Sequence, residues 1–268
     1  KDGDIEKGFA EADVILEESF SVPLISPAYM ETENSLARWN EDGTLTVWVS
    51  SQHPFTDQSA IANALDLPVD RVRVKSAVIG GAFGGKEDSS LAILAALGAW
   101  KIRGSFKLVN TRRESFLAHP KRHPAQITYK LGATEDGTIT ALKATTHMDT
   151  GAYASYGPAV AMILTETLAG SYRVKTLQLE TDLVYTNSPL SGAMRGFGSP
   201  QSHFAVESTL DMLAEKVKLD PIQIREKNIL HPGDELFTRV KMSNSALALE
   251  QCLSEGRKIM AEYQALES

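Results

Sequence analysis

One structural unit occurs twice in this sequence: a strand, a glycine-containing loop and a helix. The first loop reads GGAFGGKED (80–88), and the second reads RGFGSPQ (195–201). Alternating or β-branched stretches at 71–79 and 176–186 predict the strands that precede them. Apolar residues at helical spacing predict the helices that follow, the second with Val206, Leu210, Leu213 and Val217 on one face. The unit therefore predicts a fold that mixes sheet and helix.

Two long hairpins complete this pattern. Residues 35–52 and 125–148 each place β-branched and aromatic residues on both sides of a Glu-Asp-Gly turn. Further strands are predicted at 13–22 and 106–112, and helices at 55–67 with Thr56 as N-cap, about 88–100, 221–229 and 245–265. Residues 159–169 are apolar and fit a helix or a strand. We predict an α+β fold of twisted mixed and antiparallel sheets with long hairpins and packed helices. No linker divides it.

Composition limits the class of protein. The chain has 268 residues, of which 43% are hydrophobic, enough for one large core or two modest ones. A formal net charge of −7 argues against general nucleic-acid binding. The longest apolar run, LAILAALGAW (91–100), is too short to span a membrane and predicts a buried helix. The single cysteine, Cys252, rules out an internal disulfide or a cysteine-ligated iron–sulfur cluster in this chain, and we expect a cytoplasmic protein.

Each glycine loop admits more than one interpretation. A glycine loop before a helix lets a ligand approach the free N–H groups of the helix end. The first loop matches a nucleotide-binding P-loop up to Lys86, but Glu87 stands where Ser or Thr should bind Mg²⁺. The second loop has Gln201 where a dinucleotide fingerprint has its third glycine. Tight packing turns are the alternative for either loop alone. Together, the loops predict convergence on one anionic or oxo-rich ligand.

The flanking segments extend these two loops into a family pattern. In order along the chain, the sequence resembles the molybdenum-binding large subunit of the xanthine dehydrogenase and aldehyde oxidase family, the molybdenum hydroxylases. The matching segments are GDIEKGFAEAD (3–13), SSQHPF (50–55), GGAFGGKE (80–87), RHP (122–124), GAYASYGP (151–158), AMRGFGSPQ (193–201) and REKNILHPGD (225–234). The resemblance covers nearly the whole chain and implies one molybdopterin-binding domain over residues 1–268.

The resemblance implies roles for particular residues. Gln52, Phe83, Gly84 and Arg195 are predicted to bind the cofactor. Of these, Gln52, Phe83 and Arg195 would surround the molybdenum and its oxygen ligands without bonding to the metal. Glu87 would contact a substrate ring, because a carboxyl group can exchange hydrogen bonds with a nitrogen heterocycle. Phe197 would pack against the same ring.

The sequence also departs from the family pattern. The family's catalytic base is a Glu after Gly, and no Gly-Glu pair occurs in this chain, so no catalytic residue is predicted here. The amino-terminal domain of the large subunit and the second half of the molybdenum region are not recognisable either. Residues 159–170 contain no Arg or Lys of the kind xanthine-type enzymes use, which counts against a purine, whereas Glu87 favours a nitrogen heterocycle. We therefore expect an excised fragment or one half of a split subunit.

Three other groups of residues have simpler interpretations. The segment His119–His123 contains two prolines within or beside it and predicts a basic surface or cofactor-edge segment rather than a metal site. Glu31 is predicted to support the pocket structurally. Tyr153 and Tyr156 are predicted to be core or subunit-contact residues.

The resemblance implies a function for the intact protein. A molybdenum hydroxylase inserts water-derived oxygen into a C–H bond of a nitrogen heterocycle or an aldehyde. Its cofactor is molybdenum–molybdopterin, in its plain or dinucleotide form. Its partners would be the remaining half of the subunit and the iron–sulfur and FAD-containing subunits or domains, with no nucleic acid or membrane. The alternative is a non-catalytic cofactor-binding or assembly module.

Overall fold

The computed structural model describes residues 1–88, 90–243 and 247–267. Its helices are α1 (Ile5–Ala10), α2 (Pro54–Leu65), α3 (Ser90–Ile102), α4 (Arg112–Ala118), α5 (Gly157–Thr167), α6 (Ser199–Val217), α7 (Pro221–Asn228) and α8 (Leu247–Glu267). Its strands are β1 (Val14–Val22), β2 (Asn34–Trp39), β3 (Leu45–Val49), β4 (Val72–Ser76), β5 (Ser105–Val109), β6 (Ala125–Ala133), β7 (Ile139–Gly151) and β8 (Thr176–Tyr185).

The strands form two mixed four-stranded sheets. The first has the order β1-β6-β7-β8, antiparallel except between β7 and β8, and the second has the order β4-β3-β2-β5, antiparallel except between β3 and β4. The two predicted hairpins are β2–β3 and β6–β7. The structure thus confirms the predicted α+β class of mixed sheets, long hairpins and packed helices.

Each sheet has its own hydrophobic core. Leu131, Leu142 and Met148 of the first sheet pack with Leu164 of α5 and Leu210 of α6, all nearly inaccessible to solvent. The predicted apolar face of α6 is confirmed, with Val217 partly buried at its end. The second core lies between the β2–β5 sheet and helices α2 and α3. The chain therefore builds two modest cores rather than one large one.

Helix α3 is only half buried, although its sequence predicts burial throughout. Its alanines, including Ala92, Ala95 and Ala99, face the second sheet, and small side chains allow this close approach. Leu94 and Ile102 lie on the outer side and are more than half exposed. Alanine spacing rather than overall hydrophobicity determined which side of the helix was buried.

Two other local predictions are resolved or corrected. Helix α2 begins at Pro54 with His53 as N-cap, so Thr56 is not the cap. Proline suits the first helical turn, because its φ is already helical and the N–H that it lacks would have no partner there. The ambiguous apolar segment forms helix α5, which also has proline in its first turn.

Candidate functional site

The two glycine loops touch each other through their backbones. The N–H of Arg195 donates to the carbonyl oxygen of Phe83 at 2.9 Å. A Cβ on Gly84 would lie 2.8 Å from backbone atoms of Ala193 and Met194, so the loops approach as closely as two backbones can. Phe83 and Phe197 adopt left-handed φ values of 54° and 50°, which are uncommon for a bulky residue. The predicted convergence of the two loops is therefore present.

Gln52 is fixed in one amide orientation by the first loop. Its Oε1 accepts from the N–H groups of Gly84 at 3.0 Å and Lys86 at 3.3 Å. Because both donors face the oxygen, the Nε2 group must point the other way, where it donates to Glu87 Oε1 at 3.3 Å. Gln52 thus presents an N–H donor beside the place where the loops meet, and its neighbours decide which end of the amide is the donor.

The Lys86 side chain is buried and has its partners inside the protein. Its side chain is 1% exposed, its Nζ donates to Glu31 Oε2 at 2.8 Å, and it lies 4.8 Å from the ring centre of Tyr29. Glu31 also accepts from Ser50 Oγ at 2.7 Å and from the N–H of Gly80 at 2.7 Å. A P-loop lysine must reach the phosphates, so this geometry counts against the nucleotide-binding alternative. It also agrees with the supporting role predicted for Glu31.

Glu87 lies at the end of the first loop in a partly buried position. Burial raises the pKa of its carboxyl group, an effect that the nearby His53 imidazole opposes and the Asp88 carboxylate reinforces. The His53 Nε2 atom is 3.7 Å from Glu87 Oε2. The two carboxyl oxygens of Glu87 thus face Gln52 and His53, and both oxygens can still take a further hydrogen-bonding partner.

An aromatic pair stands near this carboxyl group. The rings of Tyr156 and Phe197 meet edge to face with centroids 6.0 Å apart. Burial raises the pKa of Tyr156, and the negative charges of Glu87 and Asp88 raise it further. Tyr156 therefore belongs to the surroundings of Glu87 and Phe197 and is not simply a core residue. In the sequence, the signal for this role of Tyr156 was its position in the family-matching segment 151–158.

The segment His119–His123 is buried, so the basic surface, the first of the two predicted alternatives, is wrong, and the cofactor-edge segment remains. Lys121 is 6% and Arg122 is 8% exposed, and both histidines are still less accessible. Arg122 Nη1 donates to Gln201 Oε1 at 3.1 Å, and its Nη2 donates to the carbonyl oxygen of Arg195 at 2.7 Å. The segment thus lies beneath the second glycine loop and holds it in place. Long-range packing buried it, which its sequence could not indicate.

An open depression of about 530 Å³ lies where the loops meet. It is lined by Pro27, Phe83, Arg122, Met194, Arg195, Gly196 and Pro200. This lining contains two of the predicted residues, Phe83 and Arg195, whereas Gln52 and Glu87 stand outside it. The Arg195 side chain is exposed and forms no hydrogen bond or ion pair within the described ranges. Residues 1–88, 90–243 and 247–267 likewise provide no partner for the N–H groups of Phe83 and Gly196.

A larger cavity, of about 720 Å³, lies elsewhere and has a different character. It is bounded by the start of β7, residues 172–175 and residues 234–237. Two of the cations that line it are neutralised, Lys175 by Glu11 and Lys227 by Asp136. Cavity volume therefore does not identify the site. The smaller depression is the better candidate, because it lies where the two loops meet and is lined by the unpaired Arg195.

This chain belongs to the molybdopterin cofactor-binding domain family, whose model matches residues 1–229. It is 37% identical to the nicotinate dehydrogenase large molybdopterin subunit of Eubacterium barkeri, over 99% of this chain and 62% of that protein. It is 35% identical to the xanthine dehydrogenase molybdenum-binding subunit of Escherichia coli O157:H7, over 96% of this chain and 34% of that protein. The chain thus spans less than two thirds of these relatives.

A solved structure resembles the whole fold. The aldehyde oxidoreductase of Desulfovibrio gigas superposes with a TM-score of 0.91 at 27% identity, covering 99% of this chain and 29% of that one. The molybdopterin-binding fold predicted from the sequence is therefore confirmed. Within the described residues, no helix combines the length and apolar character needed to cross a membrane.

The residues at the loops suit a molybdenum–pterin group. Such a group is anionic and rich in oxygen and sulfur acceptors, and the site offers unpaired backbone N–H groups, an oriented amide donor on Gln52 and the free guanidinium of Arg195. Nothing acidic lines the depression in the part of the chain that the structure describes. The donor set thus matches the cofactor of the family.

Proposed function

We propose that residues 1–268 form the first cofactor-binding domain of a molybdenum hydroxylase. The intact enzyme would insert water-derived oxygen into a C–H bond of a nitrogen heterocycle or an aldehyde. One observation carries this proposal: both glycine loops meet at a single point, beside an amide donor held in one orientation. If each loop were only a packing turn, the two loops would not need to meet beside this amide donor.

The proposed roles of this chain's residues are binding and orientation. Gln52 offers its Nε2 donor to an oxygen ligand of the metal, and the Phe83–Gly84 backbone packs close to the same group. Arg195 contributes positive charge at the opening of the depression. When bound, the molybdenum–pterin cofactor, plain or dinucleotide, supplies the two-electron and oxygen-transfer chemistry. Preorganised donors of this kind stabilise developing negative charge without reorganising.

The proposed substrate class follows from Glu87 and the aromatic pair. A partly buried carboxyl group can accept a hydrogen bond from a ring N–H or, when protonated, donate one to a ring nitrogen. Phe197, supported edge-on by Tyr156, provides an apolar contact for a flat ring. The relative from Eubacterium barkeri is named for nicotinate, a nitrogen heterocycle, which agrees with this substrate class, whereas the similar structure from Desulfovibrio gigas is named for aldehydes.

Other parts of the enzyme would supply what this chain lacks. The catalytic Glu after Gly is proposed to reside in the remaining half of the molybdenum subunit, and iron–sulfur clusters and FAD in partner chains or domains. One cysteine cannot ligate a cluster, which supports this division. The same cysteine content favours a reducing compartment, and we propose the cytoplasm.

A second candidate function is a non-catalytic cofactor-binding or assembly module. The missing Gly-Glu pair favours it for this chain in isolation. If the cofactor binds, activity of the complete enzyme separates the two candidates, whereas a well-folded complete subunit without metal or pterin would favour the assembly module.

Molybdenum and pterin content tests the proposal. The chain, together with the parts that complete its subunit, would be produced in a host that makes molybdopterin. We expect near-stoichiometric metal and pterin, lost in the Gln52→Ala/Arg195→Ala double variant. The matched control is Gln178→Ala/Arg38→Ala, because these two residues lie on strands of different sheets away from the loops. A well-folded complete subunit without either component would refute the proposed function.

The substrate role of Glu87 has its own test. In the complete enzyme, Glu87→Ala should lower kcat/KM for a nitrogen heterocycle by about tenfold or more, the loss expected when a site built to hydrogen-bond a ring loses its partner. Turnover of an aldehyde should change much less. Equal losses on both substrates would contradict the substrate role while leaving the cofactor site intact.

A further inference from the structure

Helix α2 has an unusual residue at its N-cap. His53 occupies this position, where Ser, Thr, Asp and Asn are favoured because their side chains accept hydrogen bonds from the first N–H groups of the helix. The His53 side chain makes no such bond. Pro54, in the first turn, already favours the start of the helix. Capping therefore does not account for the imidazole.

The imidazole of His53 faces the first glycine loop instead. The segment that carries it is tied to this loop, because the Gln52 N–H donates to the carbonyl oxygen of Lys86 at 3.1 Å. The His53 N–H donates to Ser51 Oγ at 3.0 Å, which fixes the backbone on the other side. His53 Nε2 lies 3.7 Å from Glu87 Oε2, and its side chain is 48% exposed. Water can therefore supply or remove a proton of the imidazole while it stays beside Glu87.

His53 is the one basic side chain that pairs with Glu87 among the residues that the structure describes. Burial raises the pKa of the Glu87 carboxyl group, the His53 imidazole lowers it, and the neighbouring Asp88 carboxylate raises it again. At the start of α5, Tyr156 adds a phenol whose own pKa is raised by burial and by the charge of Glu87. The adjacent Lys86 is buried and pairs elsewhere. The ionisation of Glu87 therefore depends on the balance between its burial and His53.

We propose that His53 is a positioning residue for Glu87, which keeps the carboxyl group ionised so that it accepts a hydrogen bond from a substrate ring N–H. An opposite charge within about 4–6 Å favours the charged form of a carboxyl group, whereas burial favours the neutral form. Without the imidazole, burial and Asp88 would dominate, and a protonated Glu87 would donate to a bare ring nitrogen instead. The consequence for substrate rests on the proposed function. The pairing of His53 with Glu87 is a property of this chain alone.

An NMR titration of this chain without cofactor tests the pairing. The chain would carry isotope-labelled glutamate carboxyl groups, and the Glu87 signal would be assigned as the one missing from Glu87→Gln. The pH would be varied over the range in which carboxyl and imidazole groups titrate. In His53→Asn, we expect the pKa of Glu87 to rise, because the opposing charge is gone. His53→Lys, which keeps a cation, should return the pKa of Glu87 to that of the original chain or below it.

Two controls separate the charge of His53 from a structural role. Asn is a favoured N-cap residue, so His53→Asn should unfold at the same or a higher urea concentration than the original chain, although the pKa of Glu87 rises. His147→Asn removes an exposed imidazole whose Nδ1 lies 3.2 Å from Asp182 Oδ2 on the first sheet. This matched variant should leave the pKa of Glu87 unchanged.

The pH profile of the complete enzyme tests the consequence for substrate. On the acid side of the profile, His53→Asn should lower kcat/KM by about threefold or more for quinazolinone, whose ring presents an N–H, because more of Glu87 is protonated. For quinazoline, whose ring nitrogens carry no hydrogen, the loss should be smaller or reversed. His53→Lys should restore the original profile. Molybdenum and pterin content should stay the same in all of these variants.

The outcomes separate this inference from the proposed function. An unchanged pKa of Glu87 in His53→Asn, or the same rise in His53→Asn and His53→Lys, would overturn the inference. An active enzyme whose pH profile is not moved by His53→Asn would overturn it as well, and so would equal losses of heterocycle and aldehyde turnover in Glu87→Ala. A complete subunit without molybdenum and pterin would refute the proposed function, yet a rise in the pKa of Glu87 in His53→Asn alone would still support the pairing.

Discussion

The buried pair formed by Lys86 and Glu31 makes the stability of the first glycine loop sensitive to one substitution. Glu31→Gln removes the only carboxylate that Lys86 contacts in the described structure. The ammonium group stays behind, 1% exposed, with an amide oxygen as its nearest replacement. Because water cannot reach it, the loss is larger than for a surface pair.

The size of the effect follows from burial and from the pKa of Glu31. Removing one partner of a fully buried pair costs about 3–5 kcal/mol. Burial alone would raise the pKa of the Glu31 carboxyl group, but hydrogen bonds from Lys86, Ser50, the Gly80 N–H and Asn34 together lower it to about 2. That shift corresponds to at most about 3 kcal/mol of the free energy of unfolding. Since 29% of the Glu31 side chain is exposed and screened, we expect about 2 kcal/mol.

The pH dependence provides a second check. A carboxyl group whose folded pKa lies below its ordinary value contributes stability above that ordinary value, near 4.5. This contribution is lost as the pH falls from about 4.5 towards 2. The difference in unfolding free energy between the original chain and Glu31→Gln should therefore be largest at neutral pH and shrink across this range.

Urea unfolding followed by circular dichroism measures both effects. Lys86→Met should cost less than Glu31→Gln, because Glu31 keeps its bonds to Ser50 and Gly80 and reaches solvent. Glu17→Gln, which breaks the exposed pair with Lys130, is the matched control and should change stability by less than about 1 kcal/mol. A Glu31→Gln variant within about 0.5 kcal/mol of the original at neutral pH would refute this reasoning.

Three further predictions concern the loops and the segment beneath them. Gly84→Ala should destabilise the chain by roughly 2 kcal/mol or more and separate the loops. The control Gly233→Ala has a similar φ and nothing within 4 Å of the added Cβ, so it measures the backbone strain alone. Equal unfolding free energies of the two variants would contradict the steric argument. Burial lowers the pKa of His123 to about 4, Asp149 opposing and Arg122 adding to the effect. The free energy of unfolding should thus fall by up to about 3 kcal/mol as the pH falls from about 6.5 to about 4, because the unfolded chain binds the proton first. His123→Gln should remove this pH dependence in urea titrations at several pH values. Equilibrium dialysis should detect no saturable Mg·ATP binding, because Lys86 is buried, and binding would restore the nucleotide alternative.

The sequence by itself determined the elements whose causes are local. Both hairpins were predictable because the turns carry their own hydrogen bonds: Asp42 Oδ1 accepts from the Thr44 N–H at 3.0 Å, and Asp136 Oδ1 from the Thr138 N–H at 3.1 Å. The apolar face of α6 followed from helical spacing. The two loops, with their flanking segments, were sufficient to identify the family. Each of these signals lies within a short stretch of the chain.

Only the tertiary structure decided how distant segments share the site. The parallel pairing of β3 with β4 and of β7 with β8 has no local signature. Gln52 meets Gly84 across 32 positions, and Arg122 meets Arg195 across 73. Lys86, which matches the lysine of a P-loop only in sequence, is an interior ion-pair partner, and the segment His119–His123, predicted as a basic surface or a cofactor-edge segment, is buried. Side-chain type records what a residue can do, but its partners and burial depend on segments that only folding brings together.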